Sequence, residues 1–196
     1  MEIVFASRNR KKAEEIQRIL AGHPVTVLSL ADFPDCPDVE EDRDTFDGNA
    51  IKKAEAVAAF TGRMAFADDS GLEVAALNGA PGVFSARYAG EGATDILNVE
   101  KLLSEMAEIP DSQREARFVC CIALAIPGEE VHTFWGVAEG SIGREPRGAA
   151  GFGYDPVFYP AGHDRTFAEM SASEKDALSH RKKALDKFAE FMRFIE

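Results

Sequence analysis

Cysteine and tryptophan are scarce in this 196-residue chain, which has three of the former and one of the latter. An odd cysteine count cannot close an even disulfide framework, and the adjacent Cys120–Cys121 lacks the spacing of a metal knuckle. With Cys36, they are expected as reduced thiols in or near a core. Basic charge is also in short supply: 22 Lys and Arg against 34 Asp and Glu leave a formal net charge of -12 at pH 7. Such a surface disfavours long nucleic acid, whose backbone demands a broad basic face. A small phosphorylated ligand is still allowed, because a local cluster of cations and backbone donors suffices. No apolar run is long enough to span a bilayer, and no secretory signal is visible, so a cytoplasmic protein without a membrane role is expected. Internal repeats, low-complexity tracts and an independent linker are missing too. Residues 1–196 are therefore expected to form a single domain, large enough for one sizeable core or for two lobes sharing a sheet.

The hydrophobic pattern gives the elements. Glu2–Ala6 is a short apolar run, and a helix should follow with Ala13, Ile16, Ile19 and Leu20 on its buried face. Residues 32–45, rich in proline and acids, read as a loop. A second helix is expected from Phe46 to Phe60, stopped by Thr61-Gly62. Met64–Ala67 reads as a strand delivering Asp68-Asp69-Ser70-Gly71 at its end. Asn78-Gly79-Ala80-Pro81-Gly82 is turn chemistry. Thr94 is a plausible N-cap for a helix burying Val99, Leu102, Leu103 and Met106. Arg117–Ile126 and Val131–Glu139 flank Pro127-Gly128 as an antiparallel hairpin would. A glycine-rich loop covers 148–153. One last helix starts near Ser171-Ala172-Ser173-Glu174, a capping-box pattern, and buries Leu178, Leu185, Phe188 and Met192. Helices mixed with crossover and hairpin strands indicate an α/β fold on a mixed sheet.

Several polar segments could carry chemistry. Ser7, Arg8, Asn9, Arg10, Lys11 and Lys12 lie between a strand and the first turn of a helix, where free N–H groups and the helix dipole favour an anion. The segment lacks the glycines of a P-loop and reads equally as an N-cap followed by a solvated basic turn. Glu40 and Glu41 precede the second helix, on which Asn49 and Lys53 share a face beside the apolar stripe of Ala50, Ala54 and Val57. Lys53 is thus a candidate phosphate ligand or a plain surface lysine. Asp68-Asp69 is more telling, because adjacent carboxylates ending an apolar strand are costly without partners. Side chains alternate along a strand, so one carboxylate can meet a hard cation such as Mg2+ while the other orients neighbours; an Asx-turn is the plain alternative. The two aspartates of haloacid-dehalogenase phosphatases are separated by one residue near a first strand, which fits this pair badly. Gly151-Phe152-Gly153-Tyr154-Asp155-Pro156 combines pliable backbone, aromatic rings and a carboxylate, suited to stacking on a base and reading its edge, or to a tight turn plugging the core. Lys175, His180 and Arg181 form a basic stripe on the last helix, which alone reads as solvated.

Taken in order and spacing, these segments resemble the inosine triphosphate pyrophosphatase family. The matching stretches are ASRNRKKAEEI, EEDRDTFDGNAIKKAEAVA, FADDSGLEVAALNGAPGVFSARYAG, GFGYDPVF and TFAEMSASEKDALSHRKKAL, from Ala6 to Leu185. The resemblance implies two α/β lobes around a long mixed sheet with flanking helices, an active site in the cleft between the lobes, a homodimer and a need for Mg2+. It implies hydrolysis of non-standard purine nucleoside triphosphates (ITP, dITP, XTP) to the monophosphate and pyrophosphate. Carried over by position, Ser7, Asn9, Lys12 and Lys53 hold the triphosphate, within the binding segment that also contains Arg8, Arg10 and Lys11. Glu41 and Asp69 are close to the metal, Asp69 is the general base for water, and Ser70 touches substrate. Phe152, Gly153, Tyr154 and Asp155, with Lys175, His180 and Arg181, build the base and sugar pocket, while Arg87 and Tyr88 support it. Arg8 stands where many members have glycine, so its side chain must point away from the ligand; Asp176 stands where asparagine is common. Chemistry alone allows either Asp68 or Asp69 as base. A pyrophosphatase for pyrimidine or modified nucleotides, and a non-catalytic nucleotide sensor, stay open as other readings.

Overall fold

The computed structural model describes residues 1–195. Ile3, Val4 and Phe5 leave little polar face on β1 (Glu2–Phe5), as an interior strand covered on both sides requires. β1 pairs in parallel with β2 (Thr26–Ser29) and with β3 (Ala65–Val74). β4 (Glu115–Ala125), β5 (His132–Ile142) and β6 (Phe158–Pro160) complete a six-stranded sheet in the order β2-β1-β3-β4-β5-β6. β6 runs antiparallel to β5, so the sheet is mixed, and the expected α/β class is found. β4 and β5 are neighbours joined by residues 126–131, too short a link for a crossover, as Pro127-Gly128 implied.

Local chemistry sets the helix ends. Asn9 opens α1 (Arg10–Ile19) by accepting the Lys12 N–H, and Ile16, Ile19 and Leu20 are buried. Thr45 accepts from the Gly48 N–H to start α2 (Phe46–Thr61), which Gly62 stops in the left-handed region at a φ of 66°. Thr94 caps α3 (Asp95–Glu105), whose Val99 and Leu102 are buried together with Met106 just beyond.

Four features differ from the sequence reading, one of them β6, whose three residues are too few to show a period. β2 is unforeseen, since four residues between Pro24 and a short 3-10 turn show no usable period. β3 does not end at Asp68: the strand continues through Asp69, Ser70 and Gly71 to Val74, so the aspartates sit within it. Polar residues read as a strand end there, yet Leu72 and Val74 resume the buried pattern, and the charge of Asp68 is matched by distant cations described below. The last helix is two helices. The capping box at Ser171 opens α4 (Ala172–Leu178), Ser179 is extended at φ -72° and ψ 149°, and α5 (His180–Phe194) follows. Leu178 is only partly buried, whereas Leu185, Phe188 and Met192 are buried as expected. Neither glycine nor proline marks the break, so helical periodicity runs across it unnoticed.

The chain divides into two compact units. The first contains Met1–Asp69, Cys120–Gly136 and the chain from Arg181 onward. Its core includes Ile3, Phe5, Ile16, Phe66, Ile122 and Phe188. There the Phe66 ring stacks on Phe188 and tilts against Phe5, with centroids 5.1 Å apart in both pairs. The second contains Ser70–Val119 and Val137–His180, around Leu72, Leu102, Phe118, Phe158 and Phe167. Cys36, Cys120 and Cys121 are free and buried, as their number implied. No helix among the described residues is long and apolar enough to cross a membrane.

Phe66→Ala removes a ring packed on two others and is expected to lower unfolding free energy by about 3–5 kcal/mol. Phe194→Ala, at a side chain that is 81% exposed, should stay within about 0.5 kcal/mol. Urea denaturation of both variants checks the core assignment, and equal losses would refute it.

Candidate active site

Within the first unit, the side chains singled out by sequence meet around two adjacent residues of β3. Asp68 is 1% exposed, and Lys12 Nζ donates to its Oδ1 at 2.5 Å. Arg181 Nε donates to Oδ2 at 2.9 Å, and so does the Cys120 thiol at 3.1 Å. Arg181, itself 2% exposed, also donates through Nη1 to Glu15 Oε2 at 2.5 Å. Burial alone penalises the Asp68 charge, but Arg181 and then Lys12 outweigh it and hold the carboxyl well below the usual range. Burial and then the same carboxylate push the Cys120 thiol up, so it is an inert donor and not a nucleophile.

Asp69, on the opposite face of the strand, is set differently. Lys53 Nζ donates to Glu41 Oε1 at 2.5 Å and to the Asp68 backbone carbonyl at 2.9 Å, and stands 3.7 Å from Asp69 Oδ1. Asp69 Oδ2 is buried and accepts no hydrogen bond among the described residues. Burial is the main cause that raises the Asp69 pKa to about 6, against the pull of Lys53 and Lys12 and with help from Glu41 and Asp68. Burial lowers the Lys53 pKa less than Asp69 and Glu41 raise it, so the ammonium is held charged. A carboxylate held as low as Asp68 is a poor proton acceptor near neutrality, whereas one near 6 with an open oxygen is a good one.

The rest of the first segment is arranged around the α1 start. The Ser7 hydroxyl accepts the Asn9 N–H at 3.1 Å, and the Asn9 side chain is used in the cap. Arg8 turns to the acidic loop, donating to Asp38 Oδ1 and to the Cys36 carbonyl, both at 2.7 Å. Arg10 pairs with Glu14, and both Arg10 and Lys11 are exposed. Ser70 follows Asp69 on β3 and is partly exposed. Among the described residues, no group of three or more His, Cys, Asp or Glu side chains is placed to hold a metal; Glu41 and Asp69 are two that face one cation.

The second unit gathers the other candidates on a loop. Gly151 has a φ of 72°, and a Cβ there would lie 2.1 Å from Asp155 Oδ2, so only glycine fits. That oxygen accepts the Phe152 N–H at 3.0 Å and the Lys175 ammonium at 2.7 Å. Lys175 Nζ also stands 4.8 Å from the Phe152 ring centroid, a cation–π contact. The Gly153 N–H donates to Asp95 Oδ2 at 2.9 Å, and the Tyr154 hydroxyl donates to the Ser85 carbonyl at 2.7 Å. His180 stacks on Phe118 with 4.7 Å between centroids and 11° between planes. Arg87 lies over the Phe84 ring, and Tyr88 bonds to Glu105 and carries Lys101 over its face.

The basic stripe expected on one solvated helix is therefore neither solvated nor on one helix. Lys175, His180 and Arg181 are all buried, Lys175 on α4 and the others in the first turn of α5. Arg181 falls in the first unit, where it pairs with Asp68 and Glu15; in the second unit Lys175 pairs with Asp155. Sequence reading missed Glu15, Cys120 and Asp95. Glu15 carried a signal: it lies three residues after Lys12 and four before Ile19, on the inner side of α1. Cys120 and Asp95 carried none, because their partners are distant in sequence.

Comparison with known proteins agrees with this architecture. The Ham1 family profile matches residues 3–191. A dITP/XTP pyrophosphatase of Geobacter sulfurreducens is 53% identical over 183 residues, covering 93% of this chain and 92% of its own. The dITP/XTP pyrophosphatase of Bacillus subtilis is 48% identical over 191 residues, covering 97% and 96%. The solved structure of the Staphylococcus aureus Ham1 protein is similar with a TM-score of 0.89 at 41% identity over all of both chains. The Coxiella burnetii HAM1 protein gives 0.90 at 47% identity, covering 98% of each. The chain belongs to the Ham1 family.

The raised Asp69 pKa carries a stability signature in metal-free protein. An acid with a folded pKa above its unfolded value contributes stability that is complete below about 3.8 and lost as pH rises through about 6. Ionised Asp69 thus costs roughly 3 kcal/mol at pH 7. With EDTA present, thermal unfolding of wild type should show this loss between about pH 4 and 7, and Asp69→Asn should lack it. Identical pH slopes in the two proteins would contradict the environment described for Asp69.

Proposed function

We propose that this chain hydrolyses non-standard purine nucleoside triphosphates such as ITP, dITP and XTP to the monophosphate and pyrophosphate, with Mg2+, and so cleanses the nucleotide pool. The observation that carries the reading is the buried, open oxygen of Asp69 beside a neighbouring carboxylate of opposite design. The names of the Geobacter and Bacillus relatives support the same substrate class.

The donor set suits a hard cation. Glu41 and Asp69 both approach the Lys53 ammonium, so two carboxylates already converge on one positive centre, and Asp69 Oδ2 has a lone pair to spare. Mg2+ needs only one or two protein carboxylates when water and substrate phosphates supply the remaining oxygens. When bound, it neutralises charge on the phosphate oxygens undergoing displacement.

In this reading Lys12 and Lys53 bind the triphosphate, with the α1 start (Ser7, Asn9) contributing donors. Asp69 orients a water and takes its proton as the new P–O bond forms. The α–β anhydride breaks, and pyrophosphate leaves as one unit. Phe152 stacks on the base, and Lys175 and His180 are the candidate donors to a 6-oxo group, Arg181 being engaged by Asp68 and Glu15. The backbone amides of Phe152 and Gly153 are already taken by Asp155 and Asp95 and are not offered to the base. Adenine offers an amino group at that position and would leave those donors unpaired. The expected homodimer belongs to the same reading.

Pyrophosphate release from ITP, XTP, GTP, ATP and dTTP, with Mg2+ and with EDTA, tests it. Turnover should be strongest with ITP and XTP, vanish with EDTA and fall by at least about 100-fold in Asp69→Asn. Release of single phosphate, preference for dTTP, or binding without turnover would each replace this reading with another.

A further inference from the structure

The recognition loop 148–154 has no regular secondary structure; backbone bonds from Ala150 to the Ala168 carbonyl and from Asp155 to the Phe152 carbonyl brace it, and side chains hold the residues between. Three successive residues are tied down. The Phe152 N–H goes to Asp155, which is local and moves with the loop; the Tyr154 hydroxyl reaches the Ser85 carbonyl; and the Gly153 N–H reaches Asp95, 58 residues away in sequence. Asp95 is the first residue of α3, directly after the Thr94 cap. Its carboxylate thus couples a rigid helix end to the one peptide lying between Phe152 and Gly153. Gly153 has a φ of 60°, and a Cβ added to it would meet nothing within 4 Å, so steric crowding does not fix that peptide. A charge-assisted hydrogen bond does.

We propose that Asp95 is a positioning residue for base recognition, holding the Gly153 peptide so that the Phe152 ring and the Asp155–Lys175 pair keep one geometry. This rests on the reading of Phe152, Asp155 and Lys175 as the base pocket. A second consequence is that the Gly153 N–H is withheld from ligand, so the carboxylate shapes the pocket without touching the base. The competing explanation is that Asp95 only complements the positive end of α3, as an acid in the first turn does. The two differ in what they need: helix stabilisation is shared with Thr94, whereas the tether is not.

The test compares Asp95→Ser, Asp95→Asn and Thr94→Ala in the full-length protein, with Mg2+ and ITP, alongside amide hydrogen exchange at Gly153. Serine suits a helix start but is too short to reach Gly153, while asparagine keeps an acceptor at the same length. Asp95→Ser should raise KM for ITP about tenfold, with kcat within about twofold, and speed Gly153 exchange. Asp95→Asn should restore KM to within about threefold of wild type. Thr94→Ala should lower Tm while leaving KM and Gly153 exchange unchanged. An unchanged KM in Asp95→Ser, no recovery with asparagine, or an equal KM shift in Thr94→Ala would each overturn the inference. Failure of wild type to hydrolyse any triphosphate would instead sink the function on which it rests, and the Gly153 exchange rate would still decide whether the tether exists.

Discussion

A carboxylate in the middle of a strand, almost wholly removed from water, is the constraint around which the first unit is organised. Desolvating an ionised Asp68 costs several kcal/mol unless partners are in place. Lys12 and Arg181 supply them, from the first turns of α1 and α5. Two cations on one carboxylate would leave a positive excess, and Glu15 removes it by pairing with Arg181. Two acids and two bases then form a neutral buried set that fixes the starts of two helices against β3. Such a set adds little net stability relative to an apolar core, but any one member missing leaves an uncompensated charge. Its value is geometric: Lys12 is held at a defined place by Asp68.

That saturation gives the neighbouring residue its character. Backbone alternation sends Asp69 to the other face, where Lys53 and Glu41 approach. Arg181 and the Cys120 thiol are spent on Asp68, leaving one oxygen of Asp69 open. Two carboxylates one residue apart therefore occupy opposite ends of the acid scale for a physical reason, the number of donors each receives. The fold accepts an energetic penalty at Asp69 in exchange for a group that can take a proton near neutral pH, a familiar conflict between stability and reactivity.

What sequence alone made legible followed the range of the interactions. Helix starts at Thr94 and Ser171 and the stop at Gly62 were readable because a cap involves residues within one turn. The shared face of Asn49 and Lys53 was readable from spacing, but not the burial of Lys53, which depends on carboxylates brought from elsewhere. Reading Asp68 as a strand end failed for the same reason. Its partners lie 56 and 113 residues away, and no local pattern announces that a buried charge will be matched. The break at Ser179 was hidden because the residues around it keep helical periodicity and contain no glycine or proline. Motif resemblance assembled the candidate residues; only the folded chain paired Arg181 with Asp68 and Lys175 with Asp155.

The second unit solves a different problem by different means. Proton transfer needs a fixed, desolvated acid, and a strand interior provides one. Recognising a purine needs a flat ring and a few polar groups on a surface segment, where backbone is not held by a ladder. Loop 148–154 gains definition instead from tethers: Asp155 closes on Phe152 and Lys175, Ser85 receives Tyr154, and α3 supplies a carboxylate to Gly153. Each tether uses a donor that would otherwise be offered indiscriminately to any base edge. Taking up the Phe152 and Gly153 amides shifts recognition toward side chains, and a lysine ammonium, which donates and never accepts, cannot satisfy an adenine amino group. Under the proposed function, selectivity for a 6-oxo purine rests as much on donors taken out of play as on those left for the ligand.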